Sequence, residues 1–334
     1  MKIAVDAMGG DNAPQVVVEG IEKARNEWSD IEFVLYGDET KIKKYLKDDK
    51  NITIVHTDEE VLGTDEPVKA IRTKKNSSMV RAAKSVKDGE NDAMFSLGNT
   101  GALLAAGIFI IGRIKQVDRP ALMPTLPVTN SPLGVNMLDV GANAEAKASY
   151  LQQWAVMGSI YAQDVKSIKE PRIGLLNNGS EEDKGDTLHK EAYELLSNTE
   201  EINFIGNVES NDILAGVADV IVTDGFTGNA ALKATEGTAT ILLKELKKAL
   251  MDNGFFTKMG AAIIAPSLKG IKAMFDTSRA GGAVLLGLKS PVVKAHGAAN
   301  VETIFYTVKQ IYDMLLNDTI NKANTYFEKM QKEQ

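Results

Sequence analysis

The chain has 334 residues, 44% apolar and 25% charged, which suits a globular protein with a sizeable core in one or two domains. Its net charge of −7 argues against nonspecific nucleic-acid binding. The absence of cysteine excludes disulfides, thiolate metal sites and any thioester intermediate on the protein itself.

Lys2 to Met8 reads as a strand that runs into Gly9-Gly10-Asp11-Asn12-Ala13-Pro14. Because the first residues enter a strand directly, no leader segment is expected. Pro14 fits the first turn of a helix reaching about Trp28. Strands follow at Ile31 to Tyr36 and Ile52 to Val55, with a polar helix between them. From Pro67 to Lys87, residues Lys69, Arg72, Lys74, Lys75, Arg81, Lys84 and Lys87 occur with no acidic residue among them. This is either a solvated helix pair or a dock for an acidic partner.

Asp92 to Leu97 is a strand followed by Gly98-Asn99-Thr100-Gly101 and an apolar helix from Ala102. The apolar run to Gly112 is too short to span a bilayer. Pro120, Pro124, Pro127 and Pro132 then predict edge strands or a hairpin arm. Val135 to Val140 is a strand into Gly141-Ala142-Asn143, and a helix runs from Ala144 to about Ala162. Arg172 to Leu176 leads into Asn177-Asn178-Gly179 and onward to Lys184-Gly185-Asp186, with a helix ending near Asn198. Asn203 to Ile205 and Ala218 to Val222 are strands. The latter stops at Thr223-Asp224-Gly225, and a helix is expected from Gly228-Asn229 to about Leu250.

Residues 251–276 are apolar and basic, with Phe255, Phe256, Ile263, Ile264 and Leu268 interspersed with Lys258, Lys269 and Lys272. This stretch reads as two helical pieces broken near Pro266. It is a core or dimer contact, or a tip lying in a membrane interface. A strand pair, Ala283 to Leu288 and Pro291 to Ala295, ends at His296-Gly297, and a closing helix runs from Asn300 past Tyr326. The alternation predicts an α/β fold with mostly parallel strands and right-handed crossovers.

There is no G-x-G-x-x-G after a strand, no G-x-x-x-x-G-K-[ST], no G-x-S-x-G and no H-E-x-x-H. Three histidines without cysteine make a transition-metal site a poor expectation. What remains is six Gly/Asn-rich turns, expected at one edge of a parallel sheet: Gly9 to Asn12, Gly98 to Gly101, Gly141 to Asn143, Asn177 to Gly185, Asp224 to Asn229 and His296-Gly297. Backbone and side-chain amides in such turns can hold a phosphate or stabilise an oxyanion. Asp6, Asp11, Asp139 and Asp224 lie on or beside them, either as hydrogen-bonded turn residues or as ligands for Mg²⁺.

DAMGGDNAP (Asp6 to Pro14), SLGNTGALLA (Ser96 to Ala105), RPAL (Arg119 to Leu122), LDVGAN (Leu138 to Asn143), LLNNGSEEDKG (Leu175 to Gly185), TDGFTGN (Thr223 to Asn229), GGAVLLG and KAHG occur in that order. Together they resemble the bacterial acyl-acyl-carrier-protein:phosphate acyltransferase family, PlsX, over nearly the whole chain. The resemblance implies one catalytic domain over residues 1–334 with a three-layer α/β/α core, similar to isocitrate and isopropylmalate dehydrogenases and to phosphotransacetylase, and with a dimerisation arm. It implies transfer of a fatty acyl group from acyl-carrier protein to inorganic phosphate. The acyl phosphate would feed a membrane glycerol-phosphate acyltransferase on the way to phosphatidic acid. The expected protein is a cytoplasmic, peripherally membrane-associated homodimer without cofactor or metal.

Phosphate is already a nucleophile at neutral pH, so this chemistry chiefly needs positioning and charge stabilisation. Lys184, with Asn177, Asn178 and Gly179, is assigned to phosphate. Asn99, Thr100 and Asn229 are assigned to the reacting carbonyl, and His296 to phosphate or the leaving thiolate. Gly9, Gly10, Asp11, Gly98, Gly101, Asp139, Asn143, Asp224, Gly225 and Gly228 complete the expected substrate site. Lys69, Arg72, Lys74, Lys75 and Arg81 would dock the acidic carrier protein. The rivals are a noncatalytic carrier- or lipid-binding regulator and a nicotinamide-dependent decarboxylating dehydrogenase on the same fold.

Overall fold

The computed structural model describes residues 1–251, 254, 257, 259–261, 263–266, 270 and 277–333. Two sheets form its middle layer. The first contains β1 (Lys2–Asp6), β2 (Glu32–Gly37), β3 (Ile52–His56), β4 (Ala93–Ser96), β5 (Ala121–Met123), β11 (Ala283–Leu286) and β12 (Val292–Lys294), in the order β3-β2-β1-β4-β12-β11-β5. The second contains β6 (Thr125–Leu126), β7 (Val135–Leu138), β8 (Arg172–Asn177), β9 (Asn203–Glu209) and β10 (Val220–Val222), in the order β6-β7-β10-β8-β9. Five strands of the first sheet are mutually parallel, as are β7, β10, β8 and β9. Antiparallel pairings of β12 with β11, β11 with β5, and β6 with β7 reverse the direction between the two parallel sets.

The proline-bearing stretch supplies the edge strands expected of it. β5 and β6 are consecutive, so one piece of chain borders both sheets, and the Leu122 carbonyl accepts the Val140 N–H at 3.1 Å across the seam. The loop after β6 folds back on the same chain, with the Thr129 N–H donating to the Leu214 carbonyl at 3.0 Å.

Alternating strand residues feed opposite cores, as a pleated strand requires. Ile3, Val5, Leu138 and Val222 face one continuous apolar cluster that spans both sheets. Its helices are α1 (Gln15–Glu27), α6 (Ala148–Lys166), α7 (Thr187–Ser197), α9 (Val301–Leu316) and α10 (Thr319–Glu333). Ala4 and Met94 face the opposite layer, made by α3 (Pro67–Thr73), α4 (Ser78–Lys87) and α5 (Thr100–Ala106). Below the second sheet, Met137 and Ile221 meet Leu232 of α8 (Gly225–Met251). A short α2 (Glu39–Lys43) completes the set. The three-layer α/β/α arrangement is therefore the expected one.

Several boundaries differ from expectation. α6 begins at Ala148, not Ala144, after an irregular approach. The apolar helix after Gly98 ends in a π-helical turn, Gly107–Ile111. The closing helix breaks at Asn317 and Asp318, where Asp318 adopts φ +54°, a left-handed conformation that Asp tolerates. Asp164 of α6 ties this junction down, accepting from Asn317 through its backbone carbonyl and from Thr319 and Lys322 through its carboxylate.

α8 starts at Gly225, so Gly225-Phe226-Thr227-Gly228 is the first helical turn and not the expected Gly/Asn loop. The reason is steric. A Cβ at Gly225 would collide with the Asn143 carbonyl oxygen, and one at Gly228 with the Asp139 carbonyl oxygen. The two glycines let a helix pack directly against backbone. Among the described residues no helix is long and apolar enough to cross a membrane. Of the expected tip, Phe255, Phe256 and Leu268 lie outside the described residues, whereas Ile263 and Ile264 are exposed.

Candidate active site

The six turns do not share one sheet edge. Those after β1, β4 and β12 belong to the first sheet, and those after β7, β8 and β10 to the second. The antiparallel strands between the two parallel sets separate them, and sequence alternation alone does not reveal that reversal. Among the described residues no hydrogen bond or ion pair joins the two groups.

In the first group the loops touch through backbone. A Cβ at Gly9 would meet the Gly98 nitrogen at 2.5 Å, and Asp11 donates its N–H to the Gly297 carbonyl at 2.8 Å. Beneath them the buried Asp6 carboxylate accepts from Ser78 Oγ at 2.5 Å and Ser96 Oγ at 2.6 Å. Burial raises the Asp6 pKa against these hydrogen bonds. Lys294 Nζ donates to the Leu97 and Ala295 carbonyls nearby. Burial pulls its pKa down to about 8, opposed by the charges of Asp6 and Asp11. This cation was missed in the sequence reading, although a lysine ending the buried run Val292-Val293 was a usable signal.

Asn99 is fully engaged within the fold. Its Oδ1 caps α5 by accepting the Ala102 N–H at 3.0 Å, and its Nδ2 donates to the carbonyls of Leu62, Gly63 and Asp65. Thr100 and Gly101 lie in the first turn of α5, and a Cβ at Gly101 would press on Pro67. His296 is exposed, with Nδ1 accepting the Ala298 N–H at 3.1 Å. The neutral ring then carries its proton on Nε2.

The second group is tied together by Asp139. Its Oδ1 accepts from the N–H groups of Leu122 and Ala142, and its Oδ2 from Asn143 N and Nδ2 at 2.7 and 2.9 Å. Burial raises its pKa, with these donors pulling the other way. Asn143 Nδ2 also donates to the Pro120 carbonyl, so Asp139 and Asn143 hold the turn to the seam strand. Asp224 caps α8 by accepting the Thr227 N–H at 2.9 Å. Asn229 is exposed beside Gly141. Among the described residues no three acidic or histidine side chains gather to form a metal site.

The loop after β8 is built around Asn177. Its Nδ2 donates to the Lys184 carbonyl and to Asn207 Oδ1, and its Oδ1 accepts the Asn178 N–H at 2.8 Å. A Cβ at Gly179 would meet Lys184 Cγ at 2.8 Å, so the lysine stem lies across the turn. Lys184 Nζ is 3.8 Å from the exposed Glu181 carboxylate, a weak pairing that leaves the ammonium available. Asp186 caps α7 and holds His189 Nδ1 at 2.7 Å, which keeps the Asp186 carboxyl below its usual range. The Asp186-x-x-His189 spacing at a helix start is the signal that could have found His189.

Asn177, Asn178 and His189 open onto a groove of about 890 Å³. The β10–β8 register, Val222 opposite Leu175, puts Asn177 level with the start of α8. One wall is α8, and Leu176, Ile213 and Leu214 lie in the other. Asn177, Asn178, Asp186 and His189 thus form the polar end of an apolar trough, with Lys184 on the same turn as the two asparagines.

On the far face of the first sheet, the expected basic helix pair is present as α3 and α4. Lys69, Arg72 and Lys75 are exposed. Lys74 instead pairs with Asp65 at 2.5 Å, and Arg81 donates to the His56 carbonyl at 2.6 Å, so these two are partly committed within the fold.

Known proteins share both fold and sequence. Phosphotransacetylase from Streptococcus pyogenes superposes with a TM-score of 0.62 at 20% identity, covering 95% of this chain and 94% of that one. A branched-chain phosphotransacylase from Enterococcus faecalis V583 gives a TM-score of 0.59 at 15% identity, covering 95% and 99%. At these identities the likeness is one of fold. In sequence, a phosphate acyltransferase of Latilactobacillus sakei subsp. sakei (strain 23K) is 61% identical, covering 98% of this chain and 97% of the relative. One from Enterococcus faecalis (strain ATCC 700802 / V583) is 58% identical, covering 98% and 99%. A family described as fatty acid synthesis protein matches residues 1–322. Sequence likeness this extensive places the chain in the phosphate acyltransferase family, PlsX, and makes it an acyltransferase enzyme.

Proposed function

We propose that the chain transfers a fatty acyl group from acyl-carrier protein to inorganic phosphate, releasing an acyl phosphate used in phosphatidic acid synthesis. The observation that carries this is that Asn177 and Asn178, at the turn Lys184 lies across, line an apolar groove. A phosphate oxygen attacks the thioester carbonyl carbon, the C–S bond breaks, and the thiolate leaves with a proton. No protein nucleophile is required, and the rate gain comes from holding phosphate against the carbonyl. Lys184, the Asn178 side-chain amide and the Gly179 N–H hold phosphate and stabilise the charge that develops on the carbonyl oxygen, whereas Asn229 stands beside Gly141 on the face of α8 away from the groove and receives no chemical role. The thiolate takes up the proton that the attacking hydrogenphosphate gives up, and His296 receives no chemical role, because its turn ends a strand of the other sheet. Asn99 receives no chemical role, because both ends of its amide are engaged.

The exposed cations Lys69, Arg72 and Lys75 form the dock for the acidic carrier. The apolar residues around Ile263 and Ile264 rest on the membrane surface, where a poorly soluble product passes to a glycerol-phosphate acyltransferase. A second copy of the chain completes a homodimer.

The test is thioester loss from palmitoyl-acyl-carrier protein with and without phosphate, with the product identified as acyl phosphate. Phosphate-dependent release is expected, and Lys184→Ala should raise the KM for phosphate about tenfold or more with less effect on the KM for the thioester. Thioester loss indifferent to phosphate would rule out this transfer. An unchanged phosphate saturation curve would remove Lys184 from the phosphate site.

A further inference from the structure

The geometry points to the groove along α8 as the track for the acyl chain, with Ala234 and Thr238 as residues that set how long a chain is accepted. This rests on the acyl-transfer reading above. An acyltransferase must house its hydrocarbon near the reacting carbonyl, and this groove adjoins the turn assigned to phosphate.

The helix face lining it carries Ala230, Ala231, Ala234, Thr235, Thr238 and Ala239, recurring at spacings of three and four residues. Small side chains on one wall, opposite Leu176, Ile213 and Leu214 on the other, leave a trough instead of a packed contact. From Ala230 to Leu242 the helix rises about 18 Å, comparable to an extended long-chain acyl group. The polar end of the trough is fixed by register beside Asn177 and Thr227. The chain therefore enters with its carbonyl near Asn177 and Asn178 and its methyl end toward Leu242. No charged side chain of α8 lines the groove, although Lys233 and Glu236 pair on its other faces.

Leucine at these positions would fill the trough without entering the core, because Ala230, Ala234 and Thr238 are exposed. Leucine is also a strong helix former. Ala234→Leu should lower kcat/KM for hexadecanoyl-acyl-carrier protein at least about tenfold relative to the octanoyl substrate. The cutoff should move with position: Ala230→Leu should reject shorter chains than Thr238→Leu does. A ratio unchanged in all three variants, or an equal fall for every chain length, overturns the assignment. So does a loss of self-association, read by sedimentation, without a change in chain-length profile, since a second copy would then occupy this face.

Binding of cis-parinarate separates this inference from the overall reaction. Weakened binding in Ala234→Leu supports the groove even if the wild type shows no phosphate-dependent turnover, an outcome that would sink only the reaction. Equal binding by wild type and variant overturns the groove.

Discussion

The same substitution should have opposite signs at two glycines of α8. Gly228 abuts the Asp139 carbonyl, so Gly228→Ala should destabilise the fold by about 1–3 kcal/mol through overpacking. Gly237 has open space where its Cβ would stand, so Gly237→Ala should stabilise by about 1 kcal/mol through helix propensity. Urea midpoints of the two variants check this, and movement in the same direction would show that the close approach is not maintained in solution. The pair also shows what single residues disclose in sequence. Glycine at 225 and 228 reads as a turn because its usual use is a turn; here it serves helix-to-backbone packing, which depends on a partner loop some eighty residues earlier. Asp139 and Asn143 are similar: their polarity marks a site, but their hydrogen bonds go to the fold. Lys184 stands out in sequence because glycine and amide residues surround it, whereas Lys294 is hidden in a three-residue strand.

Secondary elements were easier to read than their partners. Strands such as β1 and β10 are short apolar runs closed by Gly or Asp, and α4 appears as expected because its apolar positions recur at helical spacing. Helix ends were less legible: α8 begins with Gly225 in place of ending a turn there, and α10 is separated from α9 by two polar residues that close one helix and start another. The element pair α3 and α4 carries its own prediction. Arg72→Glu with Lys75→Glu should weaken binding of the acidic carrier protein roughly tenfold or more at low salt, with a smaller difference at high salt. Both side chains are exposed, so stability should change little. Carrier affinity that is indifferent to both charge reversal and salt would place the dock elsewhere, and surface plasmon resonance across a salt series reads it directly.

For the molecule as a whole, alternation of strands and helices disclosed the layers, because each crossover must bury one apolar face. It did not disclose two sheets or the change of direction through β11 and β5, since antiparallel insertion late in the chain leaves no local mark. The exposed Ile263 and Ile264 belong to this scale, as their use depends on what the whole protein approaches. Ile263→Asp with Ile264→Asp should reduce flotation with anionic liposomes while leaving phosphate-dependent turnover of a short-chain carrier substrate intact. Undiminished flotation would remove these residues from membrane contact. The position of β12 between β4 and β11 has a consequence during synthesis. β1 to β4 emerge early, but β4 gains its second neighbour only when Lys294 follows, about 200 residues after Ser96. At ribosomal speeds of 5–20 residues per second, that leaves an open strand edge for roughly 10–40 s. Met94 and Phe95 sit on that edge, so a nascent chain stalled before residue 292 is a natural client for a holding chaperone.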